Sequence, residues 1–140
     1  MAPLPIDIPD CTLFLLAKAH QRAHGRFKAM LRPYDLTNLQ HLVLEGLWYR
    51  QGVTAANLGK LLVLDKATLS GILDRMIDAG WIRKERDPDD KRLFRLFTTK
   101  KADRAKQELI HLRIKANEEM LGGFSEEERA LFKRMLRELT

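Results

Sequence analysis

The stretch Thr54–Gly80, TAANLGKLLVLDKATLSGILDRMIDAG, decides how the chain folds. Thr54 is placed to cap a short helix through about Leu61, Leu62 to Leu64 supply a turn, and Asp65 caps a second helix. Gly80 stands just past the last helical position, where a left-handed residue is usual. This is the spacing of a helix–turn–helix. In the second helix Leu69, Ile72, Leu73, Met76 and Ile77 recur at three- and four-residue intervals, so one face is predicted to be core. The opposite face carries Lys66, Thr68, Ser70, Gly71 and Arg75. Such a short-chained, polar, net basic face suits a helix that lies close to DNA in the major groove; the same pattern also describes an ordinary solvated face.

The next segment separates these readings. In Arg83–Phe97, RKERDPDDKRLFRLF, three carboxylates, Asp87, Asp89 and Asp90, sit between two basic clusters. The flanking runs WIRKER and LFRLF are β-compatible, and Asp-Pro-Asp-Asp is strong turn chemistry, so a β-hairpin is predicted directly after the helix–turn–helix. Together they make a winged helix.

Working outward, a proline-containing arm, Ala2 to Pro9, is expected to be non-helical and to precede a helix from about Asp10 to Leu31. Pro33 ends that helix, and Thr37 with Gln40 has the spacing of a capping box for a second helix running to about Arg50. A fifth helix is predicted over about Lys100 to Leu121, and a sixth over Ser125 to Leu139, where Ser125 and Glu128 repeat the capping box after Gly122 and Gly123. The fold class is therefore mainly α with a small β-hairpin wing. The organisation expected is an arm and dimerisation helix (1–34), a winged helix–turn–helix lobe (35–100), and C-terminal helices that complete the dimerisation region (101–140).

Composition agrees with this class. The chain has 140 residues, a net charge of +6 at pH 7 and a sequence pI near 9.7. The excess lies in residues 54–101, which hold eleven basic side chains against seven acidic, and clustered bases are the electrostatic signature of a polyanion partner. Apolar runs are far shorter than the roughly 20 residues a membrane span needs. The N-terminus lacks the pattern of a secretory signal, and the single cysteine, Cys11, permits no internal disulfide, so a cytoplasmic location is expected.

The stretches YDLTNLQHLVLEGL, LGKLLVLDKATLSGILDRMIDAGWI and RDPDDKRLFRLFTTKK, taken in this order and spacing, resemble the MarR-type transcriptional regulators. The wing motif Asp90-Lys91-Arg92 is the most specific part of the resemblance. It implies a DNA-binding regulator, most often a repressor, that binds a pseudo-palindromic double-stranded operator as an intertwined dimer. Arg92 would enter the minor groove with Asp90 orienting it, while Asp87, Pro88 and Asp89 form the turn. Arg83, Lys84, Arg86, Lys91 and Arg95 would face phosphates or solvent. The first and last helices would intertwine, joined by Leu4, Ile6 and Ile8 of the arm. Small aromatic or phenolic acids bind such regulators between the dimerisation helices and the DNA-binding lobe, which makes His20, His24, Phe27, His41 and Trp48 candidate effector residues. Two positions depart from the family pattern: Gly59 replaces a usual alanine, and Lys101 replaces a frequent glycine after the wing.

Other chemistries have weaker support. His20 and His24 have the i, i+4 spacing of metal ligands, but His111 stands alone on the fifth helix, where zinc-responsive relatives carry a dense His/Glu cluster. No cofactor or metal site is assigned. Cys11 and His20 would lie about 13 Å apart along one helix, out of range for a nucleophile pair, so no catalytic residue is assigned and the protein is not read as an enzyme. Peroxide-sensing relatives carry their cysteine about two residues later, where Leu13 stands, and a tyrosine where Phe27 stands. The alternatives kept open are a cysteine-based redox regulator and a winged helix that binds protein rather than specific DNA.

Overall fold

The computed structural model describes residues 7–140. Among the described residues six α-helices form: α1 (Thr12–Leu31), α2 (Asn38–Tyr49), α3 (Ala55–Leu62), α4 (Lys66–Asp78), α5 (Lys100–Leu121) and α6 (Glu126–Glu138). Their starts follow capping chemistry. The Thr37 hydroxyl accepts from the Gln40 N–H at 3.1 Å while the Gln40 side-chain Oε1 accepts from the Thr37 N–H at 3.0 Å, and Ser125 with Glu128 repeats the reciprocal pair at α6. Thr54, Asp65 and Thr99 cap α3, α4 and α5.

The hairpin is β2 (Ile82–Arg86) with β3 (Phe94–Thr98), in the register Ile82↔Thr98 through Arg86↔Phe94. Its inner edge takes a third strand that the sequence pattern did not reveal: β1 (Val53–Thr54) pairs antiparallel with β3, giving the order β1-β3-β2. Two residues are too few to display alternation. The arm also differs from expectation, because Ile8–Asp10 form one 3-10 turn with Pro9 in its first positions, where a missing N–H costs nothing. Leu4 and Ile6 lie outside the described residues.

The core joins both regions. Leu31 of α1, Leu44 and Leu47 of α2, Leu58 of α3, Met76 of α4, Ile82 of β2 and Leu109 of α5 are all fully buried. Leu69, Ile72, Leu73 and Met76 turn inward from α4 as the periodicity predicts, and Ile77 packs at the core's edge. Gly59 lets α3 and α4 approach closely: a Cβ there would lie 3.2 Å from the Leu64 carbonyl oxygen and 3.4 Å from Leu69. Lys101 gains a role as well. Its Nζ donates to the Ala79 carbonyl at 2.8 Å and lies 4.4 Å from the centre of the Trp81 ring, fastening the end of α4 to the start of α5.

The terminal helices are the exception to good burial. α6 buries none of its residues, and Leu131, Phe132, Met135 and Leu139 are exposed along it, as are Leu13, Phe14, Leu15 and Leu16 on α1. Apolar exposure of this extent on two helices is of the kind that commonly marks a protein–protein interaction surface.

Candidate nucleic-acid interface

Helix α4 presents Lys66, Thr68, Ser70 and Arg75 to solvent, with Gly71 half-buried between them. Its first turn is held by Asp65. One carboxylate oxygen accepts from the Thr68 N–H at 2.8 Å and the other from the Thr68 hydroxyl at 2.6 Å. Those bonds from Thr68 hold the Asp65 carboxyl below the usual carboxylate range.

The wing explains why acid sits in the most basic stretch. Asp87 is buried at 4% exposure. One of its oxygens accepts from the N–H groups of Asp89 (2.7 Å) and Asp90 (3.0 Å), and the other from Arg95 Nε at 2.6 Å. These bonds, the backbone pair first, lower its pKa. Asp90 in turn grips Arg92: Nε and Nη2 each donate to a carboxylate oxygen at 3.1 Å, and the Arg92 N–H adds a third bond at 3.0 Å. The Arg92 side chain nevertheless stays 89% exposed. The pairing with Arg92 lowers the Asp90 pKa and raises that of Arg92. A long side chain with fewer rotamers to lose is thus held out at the hairpin tip.

Not every base in the hairpin is free to meet a polyanion. Arg95 has a structural role: it bridges Asp87 to the Gly52 carbonyl (2.8 Å) and so ties the wing to the turn before β1. Arg86 donates to the Lys91 carbonyl at 2.6 Å and lies over the Phe94 ring, bracing the hairpin although its side chain remains exposed. Arg83 pairs with Glu85 and stacks on Phe97, and Lys84 covers Phe94. Lys91 stays exposed beside Arg92. The Arg95 to Gly52 link has no local signal, since 43 residues separate the partners.

The five candidate effector residues have different surroundings. His20 and His24 stack at 5.3 Å on the exposed side of α1, and Asn38 Nδ2 lies 3.2 Å from His24 Nδ1 and donates to its carbonyl. Phe27 meets His41 edge-on at 4.9 Å inside the core, where His41 Nε2 lies 3.3 Å from the Leu109 carbonyl oxygen. Burial lowers the His41 pKa, and although Glu45 opposes this, burial prevails. Trp48 donates its indole N–H to Asp103 at 3.2 Å. His24 lines a cleft of about 460 Å³ between the end of α1, the start of α2 and α4. Its other walls include Lys28, Arg32, Asn38, Ile72 and Arg75, and the Asn38 Oδ1 is buried there without a partner. Sequence spacing missed Lys28, Arg32 and Asn38, because only the folded chain brings three helices to one opening.

Among the described residues no cluster of three or more His, Cys, Asp or Glu is arranged to hold a metal ion, and no described helix is long and apolar enough to cross a membrane.

A helix–turn–helix whose second helix turns a polar face outward, followed by a hairpin with an extended arginine at its tip, defines a winged-helix DNA-binding regulator. Residues 36–94 match the model of the MarR family. The chain is 33% identical over 105 residues to the transcriptional regulator HosA of Escherichia coli, across 75% of this chain and 78% of HosA. It is 36% identical over 93 residues to the HTH-type transcriptional regulator TtmR of Methylorubrum extorquens, across 66% of this chain but only 48% of TtmR, about half that protein's length. The solved structure of Bordetella bronchiseptica BpsR, whose DNA binding is regulated by 6-hydroxynicotinic acid, shares the fold at a TM-score of 0.88 and 23% identity over 97% of both chains. The chain belongs to the MarR family of transcriptional regulators, and its named relatives are regulators rather than enzymes.

Proposed function

We propose that the protein is a homodimeric repressor that binds a pseudo-palindromic operator and responds to a small aromatic acid. Each α4 lies in the major groove through Lys66, Thr68, Ser70, Gly71 and Arg75, with the two half-sites about 34 Å apart. Arg92 enters the flanking minor groove, where A·T-rich sequence narrows the groove and deepens its negative potential. Lys91 and Arg86 lie near the backbone. The observation that carries this reading is the Asp90 fork on an otherwise exposed Arg92, because a purely solvated wing has no need to fix its arginine at the tip.

The exposed apolar stripes on α1 and α6 support the dimer. The cleft between α1, α2 and α4 supports the effector: three bases, Lys28, Arg32 and Arg75, against one acid, Asp35, leave its lining net basic for a carboxylate, and Ile72 and Arg75 belong to the helix that reads DNA. A ligand there changes where α4 sits relative to α1, and so the spacing of the two heads. This assignment keeps His24 as an effector residue and leaves His20 beside the opening; Phe27, His41 and Trp48 are reassigned to core and helix-bridging contacts.

The test is fluorescence anisotropy with DNA from upstream of the protein's own gene against random duplex, across a salt series and with benzoic, hydroxybenzoic and 6-hydroxynicotinic acids. Sequence-selective binding that weakens when an acid is added supports the proposal. Equal affinity for both duplexes would favour a protein-binding winged helix, and selective binding untouched by every acid would remove the effector.

A further inference from the structure

We infer that Thr68 reads an exocyclic amino group, adenine N6 or cytosine N4, because Asp65 holds its hydroxyl proton and leaves the oxygen able only to accept. A carboxylate has no proton to give, so the 2.6 Å contact between Thr68 Oγ1 and Asp65 fixes the direction of the bond: the hydroxyl donates. The second Asp65 oxygen is anchored on the Thr68 N–H at 2.8 Å, which keeps the carboxylate from turning away. The outward side of an exposed Thr68 therefore presents oxygen lone pairs and a methyl group. In the major groove adenine and cytosine offer amino donors at their edges, whereas guanine O6 and N7 and thymine O4 are acceptors. An acceptor-only oxygen is attracted to the first pair and repelled by the second.

Ser70, two residues on, provides an internal contrast. It is exposed and its hydroxyl has no side-chain or backbone partner among the described residues, so it rotates to donate or accept as the base requires. Asp65 thus acts as a positioning residue: it sets the polarity of Thr68 from the cap of the recognition helix, in addition to starting that helix. Lys66 stands between the two residues in sequence and offsets the carboxylate's repulsion of nearby phosphates.

The inference rests on the proposed placement of α4 in the major groove. Its test selects a preferred site for the full-length protein from a pool of randomised duplexes, then measures affinity for every single-base variant of that site. Wild type, Thr68→Val and Asp65→Asn are compared. One position per half-site is expected to favour the base whose amino group faces α4 by about fivefold or more over guanine and thymine, the lower end of a mismatch penalty. Thr68→Val keeps the shape and loses the oxygen, so it flattens that position and leaves the others unchanged. Asp65→Asn keeps the helix cap, since asparagine caps as well as aspartate. Its amide can donate to Thr68, which frees the hydroxyl proton to turn outward, and the preference moves toward guanine or thymine. Circular dichroism confirms that both variants fold; if Asp65→Asn does not, Thr68→Val alone decides. A selected site whose profile is the same in wild type and Thr68→Val overturns the inference while the DNA-reading role of α4 stands. Failure of wild type to select any site overturns both.

Discussion

Replacing Val63 by glycine is expected to make the protein more stable, although it removes an apolar side chain. Val63 closes the turn between α3 and α4 with φ 55 and ψ 51, a left-handed conformation. There the Cβ crowds the carbonyl, which costs an L-residue about 1–2 kcal/mol, with β-branching adding to the crowding. Nothing offsets this through burial, because the side chain is 89% exposed. The turn's hydrogen bonds, from the N–H groups of Val63 and Leu64 to the Gly59 carbonyl, are backbone bonds that glycine retains. Glycine's greater freedom in the unfolded chain returns about 0.5–1 kcal/mol, so the net gain is about 0.5–1 kcal/mol. With a urea slope of about 2 kcal/mol/M, the denaturation midpoint should rise by about 0.3–0.5 M at unchanged slope. Measurements are made at one protein concentration, since a dimer's apparent stability depends on it. Val63→Asn, which tolerates the same backbone, should also gain. A midpoint equal to or below wild type in both variants refutes the strain argument. Operator affinity should stay within about twofold, because the turn keeps its shape.

The wing and helix assignments predict that Arg92→Ala lowers preference for an A·T-rich flank, whereas Lys66→Ala, if it loses a phosphate contact, weakens all sequences alike and lowers the salt slope by about 1 in anisotropy titrations. His41 predicts a pH dependence. Its folded-state pKa lies below the usual 6.5, so the unfolded chain binds the proton first as pH falls; stability is full above 6.5 and declines below it, and denaturation at two pH values bracketing 6.5 should show this loss reduced in His41→Gln. Met135→Glu on the exposed face of α6 should shift sedimentation toward monomer and cost operator affinity, while an unchanged dimer would place the interface elsewhere. Cys11→Ser should leave both DNA affinity and any peroxide response as in wild type; a response that disappears would make Cys11 a sensor.

The amino-acid sequence by itself determined the order and limits of the helices, the helix–turn–helix and the hairpin, because each depends on residues within a few positions of one another. A hydroxyl and its partner three residues on fix a helix start, apolar spacing fixes the buried face, and Asp-Pro-Asp-Asp fixes the turn. The Asp90–Arg92 pair, two residues apart, was expected from the resemblance of the wing motif to the MarR type. What the tertiary structure alone decided are contacts whose partners lie far apart along the chain. β1 exists because β3 is there to pair with it, and Arg95 is structural because Gly52 comes within reach. The contact of His41 with the Leu109 carbonyl, 68 positions away, is of the same kind. The cleft is the extreme case: Lys28 and Arg32 stand one helical turn apart at the end of α1, but nothing in their spacing relates them to Asn38 of α2 or Arg75 of α4, since that approach is set by how whole helices pack rather than by the bonding pattern of any one.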